Sequence, residues 1–143
     1  MPADYLIDRG LGCVFWVFDG VVTPEERDAG EARVLADPDL PHHARILVDA
    51  RTMLGAEAFT SDDISGVADR WRHRGLGAGH ARIALIVDKA WAPASEFSDR
   101  LENRYISAIV FNDLAGATSW LGIPRDAASE VVTQLRSDIQ RRD

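Results

Sequence analysis

Three aspartates follow short apolar stretches of the sequence, where acidic side chains could do chemistry: Asp19, Asp49 and Asp88. Such stretches are typical of buried strands in a parallel sheet, and the carboxyl ends of these strands share one rim, where ligands of open α/β proteins bind. Carboxylates that meet at this rim could hold Mg²⁺, which prefers oxygen ligands. The simpler interpretation is that each aspartate caps the turn or helix after its strand, because Asp is common in turns.

The stretch RILVDARTMLGAEAFTSDD, residues 45–63, holds most of the other candidates. Arg51 lies two residues after Asp49, so it can either pair with this carboxylate or receive an anionic ligand. Thr60 or Ser61 should begin a helix, where a hydroxyl can cap the first free amides or accept a phosphate. We expect the cap, because the two aspartates that follow complement the helix dipole and would oppose a phosphate.

Other signatures of catalysis are missing from the sequence. No two histidines have the i, i+4 spacing of a helical metal site, and no serine lies in a Gly-x-Ser-x-Gly elbow. The single cysteine, Cys13, lies within the apolar run CVFWVF, where a thiol is expected to be inert. The glycine-rich segment 75–79 precedes a strand, whereas a dinucleotide-binding loop follows one. We therefore expect no enzyme, no metal and no cofactor.

Composition excludes several classes of partner. The net charge of −7 argues against binding to nucleic acid and to anionic membranes, and no apolar run approaches the ~20 residues that span a bilayer. One cysteine permits no disulfide within the chain, and no signal peptide is visible at the N-terminus. We expect a single-domain cytoplasmic protein. Of the four tryptophans, Trp91 is the one expected near the surface, where it could anchor a ligand or partner, although packing is the commoner role.

The apolar pattern predicts strands that alternate with helices. The strands are expected at 5–7, 13–18, 46–48, 83–87 and 105–111. The helices are expected at 24–36, from 60 or 61 to 74, at 92–104, from a cap at Asn112 or Asp113 to about 121, and after Pro124. The clearest helix start is a capping box at Thr23 and Glu26. This order predicts an α/β fold: a mixed, mostly parallel sheet of about five strands with an N-terminal antiparallel hairpin and about five helices.

Four stretches resemble the STAS domain, and more closely its SpoIIAA-like branch of stand-alone proteins: FDGVVTPEE, ILVDARTML, RIALIVDKAW and ISAIVFNDLAGATSWLG. The resemblance implies a STAS-like domain over residues 1–122, with 123–143 as an amphipathic helical extension packed on the same domain. In anti-sigma-factor antagonists of this family, a serine in an Asp-Ser-Ser-Gly turn accepts phosphate and switches partner binding. That motif is absent here, and Thr60 and Ser61 come nearest to its place.

The sequence therefore predicts a non-enzymatic cytoplasmic binding or regulatory module. Its protein partner or small ligand should meet the rim of the sheet at six candidate residues: Asp49, Arg51, Thr60, Ser61, Asp88 and Trp91. Two alternatives stay open, namely a phospho-switched anti-sigma-factor antagonist with Thr60 or Ser61 as acceptor, and a Mg-dependent enzyme that uses Asp19, Asp49 and Asp88. Formation of a homodimer through the apolar face of the final helix is compatible with all three.

Overall fold

The computed structural model describes residues 2–41, 44–55, 60, 62–63, 66, 69–71, 81–88, 99 and 106–142. The elements with both ends described are β1 (Ala3–Asp8), β2 (Cys13–Val21), α1 (Pro24–Ala36), β3 (Arg45–Leu54), β4 (Ala81–Ile86), β5 (Ile106–Phe111), α2 (Leu114–Leu121) and α3 (Arg125–Arg142). Positions 62, 63, 66, 69–71 and 99 are also helical. The helices expected at 60–74 and 92–104 fall largely outside the described residues, so the number of helices stays a prediction.

The five strands form one sheet in the order β1-β2-β3-β4-β5. β1 is antiparallel to β2, and every other neighbouring pair is parallel. This confirms the α/β class and the mixed sheet with its leading hairpin. The strands lie side by side in the same order as in the chain, so their order does not reverse anywhere in the described sheet. This sheet therefore lacks the topological switch point at which open α/β folds usually bind ligands. A site at its carboxyl rim must therefore be built by other means.

Two cores lie on opposite faces of the sheet. Trp16 packs with Val34 of α1 on one face, while Phe15 packs with Leu121 of α2 on the other. β2 is apolar from Cys13 to Phe18 because both of its faces are covered. The helix α3 buries one stripe against the second face: Ala128, Val132, Leu135 and Ile139. No helix among the described residues is long and apolar enough to cross a membrane.

The helices that flank the rim begin at local capping signals. Thr23 Oγ1 accepts from the Glu26 amide over 3.1 Å, and Glu26 Oε1 accepts from the Thr23 amide over 3.2 Å. This is the capping box expected at the start of α1. At the start of α2, Asp113 Oδ1 accepts from the Gly116 amide over 2.7 Å. Gly122 ends α2 with φ of 72°, a conformation that glycine adopts without strain.

β2 and β3 run beyond the points at which we expected them to end. The pair Asp19–Gly20 was expected to turn the chain, yet β2 continues to Val21, and Gly20 accommodates this with φ of 83°. β3 was expected to end at Val48 but continues to Leu54. The extensions support each other, because they continue the parallel ladder as far as Val21 opposite Leu54.

Candidate functional site at the carboxyl rim

A β-bulge in β3 shapes the rim. Val17 lies opposite Asp49 and Asp19 lies opposite Thr52, so three steps along β3 match two along β2. Side chains alternate between the faces of a strand, so residues 49 and 52 would face opposite sides of a regular strand. The extra residue instead brings Asp49 and Thr52 to the same face, where Arg136 of α3 contacts both. Bulges are rare in parallel pairs and often re-aim side chains near functional sites.

Asp49 is fully buried and is held by two arginines. Arg51 binds both of its oxygens, through Nε to Oδ1 over 3.0 Å and through Nη2 to Oδ2 over 2.7 Å. The Arg51 amide also donates to Oδ1 over 3.0 Å, and Arg136 Nη2 donates to Oδ2 over 2.7 Å. Burial raises the pKa of this carboxyl, but the hydrogen bonds from the two arginines outweigh burial and leave the pKa lowered. The side chain is therefore a fixed anion.

Arg136 and Gln140 of α3 form hydrogen bonds to the carboxyl-terminal parts of β3 and β2. Arg136 Nε donates to Thr52 Oγ1 over 3.3 Å, and this hydroxyl in turn donates to the Phe18 carbonyl over 3.4 Å. One turn further along α3, Gln140 Nε2 donates to Asp19 Oδ2 over 3.2 Å. The helix α3 therefore borders the carboxyl rim of the sheet beside β2 and β3.

Arg51 is oriented by the carboxylate of Asp49 and is partly exposed to solvent. Its side chain is 31% exposed. The hydrogen bonds that it donates to Asp49 raise the pKa of its guanidinium, and the negative charge of Asp113 raises this pKa further. Within the described part of the chain, Nη1 of Arg51 has no hydrogen-bond partner. A guanidinium held in one orientation with donors to spare can recognise a carboxylate or a phosphate.

A second buried carboxylate is paired in a similar way on the other face. Glu31 of α1 accepts from Arg27 and Arg70, and Arg70 Nη2 also donates to Asp28 over 2.9 Å. This network ties α1 to the helical residues 69–71 beside Trp16, over which Arg27 lies at 5.6 Å. A carboxylate between two arginines is therefore a structural device in this protein, and the bulge and the rim position are what distinguish Asp49.

The three aspartates proposed as magnesium ligands are not brought together. Among the described residues, no three acidic, histidine or cysteine side chains form a group that could hold a metal ion. Both oxygens of Asp49 accept hydrogen bonds from arginines. Asp19 accepts a hydrogen bond from Gln140, and Asp88 is exposed after the end of β4. The expectation that Asp19 and Asp49 follow their strands was wrong, because both lie within strands that the bulge and the extensions prolong.

Thr60 takes the capping role expected from the sequence. Its Oγ1 accepts from the Asp63 amide over 3.2 Å, and Asp63 Oδ2 accepts from the Thr60 amide over 2.8 Å. A phosphate on this hydroxyl would disturb the reciprocal pair and lie beside the Asp63 carboxylate. Ser61 and Trp91, two further candidates, lie outside the described residues.

Sequence reasoning missed Arg136, which lies 87 residues from Asp49. The signal that could have found it is its position on α3, four residues after Val132 and directly after Leu135, at the border of the buried stripe.

Cys13 was expected to be buried, and the structure confirms this burial. Burial raises the pKa of its thiol to about 12. Neither Arg136 nor Cys13 adds a nucleophile to the rim.

An open depression of about 490 Å³ lies on the outer face of α3, away from the rim, and is lined by Ser129, Glu130, Thr133, Gln134 and Ser137. None of the rim arginines contributes to it.

The chain was compared with known proteins, and no family model, curated protein or solved structure matches it.

Proposed function

We propose that the chain is a non-enzymatic binding or regulatory module whose partner or small ligand meets the carboxyl rim of the sheet at Arg51. The observation that carries this proposal is the anchoring of Asp49, whose two oxygens accept four hydrogen bonds from Arg51 and Arg136. A general base or metal ligand needs a free lone pair directed at the substrate. This carboxylate instead serves to orient two guanidiniums.

The rim suits recognition better than chemistry. Arg51 presents a charged, planar group in a fixed orientation, which reduces the entropy lost when a partner binds. Three further acids lie at this rim: Asp113, whose charge acts on Arg51, Asp19 near the end of β2 and Asp88 just after the end of β4. They disfavour a highly charged anion and favour a partner that places one negative group on Arg51.

The STAS-like assignment and the cytoplasmic location belong to the same proposal. The antiparallel hairpin that leads a parallel sheet supports the assignment, as do the stretches of sequence that resemble this family. A phospho-switched form finds less support, since Thr60 is engaged as a helix cap. The proposal is therefore of a binding module that does not depend on phosphate at this position.

Native mass spectrometry of protein purified gently from its own cells tests the proposal. We expect added mass on the wild-type chain and a large loss of it in Arg51→Lys, because lysine keeps the charge but lacks the planar fork. The control is Arg9→Lys, in the exposed pair with Asp39, which should keep the added mass. A mass retained equally by both variants, or no mass on the wild type, would contradict a site at Arg51.

A further inference from the structure

Within the part of the chain that the structure describes, β3 has a free edge at the rim, namely the side of its last residues that faces away from β2. Its ladder with β4 ends where Asp49 pairs with Ile86, yet β3 continues to Leu54. Val87, the residue after β4, is turned toward β5 instead, because its amide donates to the Phe111 carbonyl over 2.9 Å. No described strand lies beside the last residues of β3 on this side.

The free edge offers backbone groups that are ready to pair. The Leu54 carbonyl accepts from the Val22 amide over 3.1 Å, so residue 54 points its backbone groups toward β2. Neighbouring residues of a strand point theirs in opposite directions, so the amide and carbonyl of Met53 point away from β2, along the free edge. An exposed edge of this kind is a template for an added strand.

Two kinds of side chain lie near this edge: exposed apolar groups and the guanidinium of Arg51. Val21 and Leu54 are opposite each other in the ladder and are 63% and 60% exposed, the two highest values among the large exposed hydrophobic residues described. Arg51, at the bulge, belongs to the same part of β3, and its Nη1 has no hydrogen-bond partner among the described residues. An extended segment along Met53 would therefore meet an apolar surface near Leu54 and a guanidinium near Arg51.

We infer that the partner is an extended protein segment that pairs as an added strand with the free edge of β3, and this rests on the function proposed above. Main-chain hydrogen bonds to Met53 give the affinity, and alternate side chains give the specificity. The segment should carry one acidic residue for Arg51 and an apolar residue two positions away for Leu54. The exposed acids Asp88 and Asp113 disfavour a second negative charge.

Fluorescence anisotropy with the labelled peptides acetyl-TDTVT-amide, acetyl-TDTLT-amide and acetyl-TDTIT-amide provides the test. At least one should bind the full chain with a Kd below about 1 mM. Replacing Asp by Lys in that peptide, or methylating its backbone amides, should weaken binding about tenfold, since each removes a charged or a main-chain hydrogen bond. Unchanged binding of both altered peptides would overturn the inference, as would no binding by any of the three.

Met53→Pro provides the matched test in the protein. Proline removes the amide that faces the free edge and leaves the ladder with β2 intact, so we expect a folded variant with about tenfold weaker peptide binding. Should it not fold, the methylated peptide makes the same test on the wild type. A mass that co-purifies in an Arg51-dependent manner with both wild type and Met53→Pro would overturn the added strand alone. A mass indifferent to Arg51 would contradict the proposed function itself.

Discussion

Arg136 Nη2 donates to Asp49 Oδ2 over 2.7 Å, although the two residues are 87 positions apart in the chain. The contact joins the terminal helix α3 to β3 at a point where the carboxylate is fully buried. Because Arg51 binds both oxygens of the same carboxylate, one buried charge fixes two arginines at the rim. The shape of the rim therefore depends on α3 being in place.

Asp49→Asn should destabilise the fold. The amide keeps the shape of the side chain but removes the charge that Arg51 and Arg136 share, and breaking a buried ion pair costs about 3–5 kcal/mol. Both arginines are partly exposed, so we expect the free energy of unfolding to fall by about 3 kcal/mol in urea titrations. The control is Asp39→Asn, whose exposed pair should contribute less than about 1 kcal/mol. Equal losses in both variants would refute a special role for Asp49.

Asp49 and Arg136 should be energetically coupled. A double-mutant cycle built from Asp49→Asn and Arg136→Met should give a coupling free energy of about 1–2 kcal/mol, because the residues share a buried hydrogen bond. Arg141→Met serves as the control, since Arg141 pairs with Asp138 on the exposed side of α3 and should not couple to Asp49. A cycle in which the effects of Asp49→Asn and Arg136→Met simply add would show that this contact does not fasten α3.

Acid should remove the contribution of Asp49 to stability. The pKa of Asp49 is lowered in the folded protein, so its stabilising effect is fully present above the unfolded pKa of about 4 and is lost as the pH falls through the lower folded value. We expect the difference in urea midpoint between wild type and Asp49→Asn to be constant from pH 7 to pH 5 and to shrink below about pH 4. A difference that does not change down to pH 2.5 would be inconsistent with an ionised, paired Asp49.

Thr60 should contribute to stability through its hydroxyl alone. Thr60→Ala removes the acceptor for the Asp63 amide and should lower the free energy of unfolding by about 1 kcal/mol, whereas Thr60→Ser should change it little. Thermal melts of the two variants make the comparison. Phosphate found at Thr60 in protein from its own cells, together with equal melting of the two variants, would favour a modified residue over a cap.

The fold was largely predictable because its signals are local. The capping box at Thr23 and the apolar run of β2 each define an element within a few residues of sequence. The ends of β2 and β3 were not predictable in this way. Asp19–Gly20 carries an ordinary turn signal, and the residues after Val48 mix charged, polar and apolar types, so only the ladder between Val21 and Leu54 reveals that both strands continue.

The candidate site was predictable only in part. The pairing of Arg51 with Asp49 is a contact between near neighbours, and it was one of the two roles expected for that arginine. The contribution of Arg136 comes from α3, whose contact with Asp49 joins residues that are 87 positions apart in the chain. The bulge that brings Thr52 beneath this helix depends on the register between two strands, which a single sequence does not encode in any short motif.

The central claim, that binding occurs at the carboxyl rim, is tested most directly by photo-crosslinking in the protein's own cells. A benzoylphenylalanine placed at Asp88, exposed at the rim, is compared with one at Glu130, exposed on the outer face of α3. We expect a specific adduct, identified by mass, from position 88 and none from position 130. Adducts that form only from position 130, or at equal yield from both positions, would contradict the account.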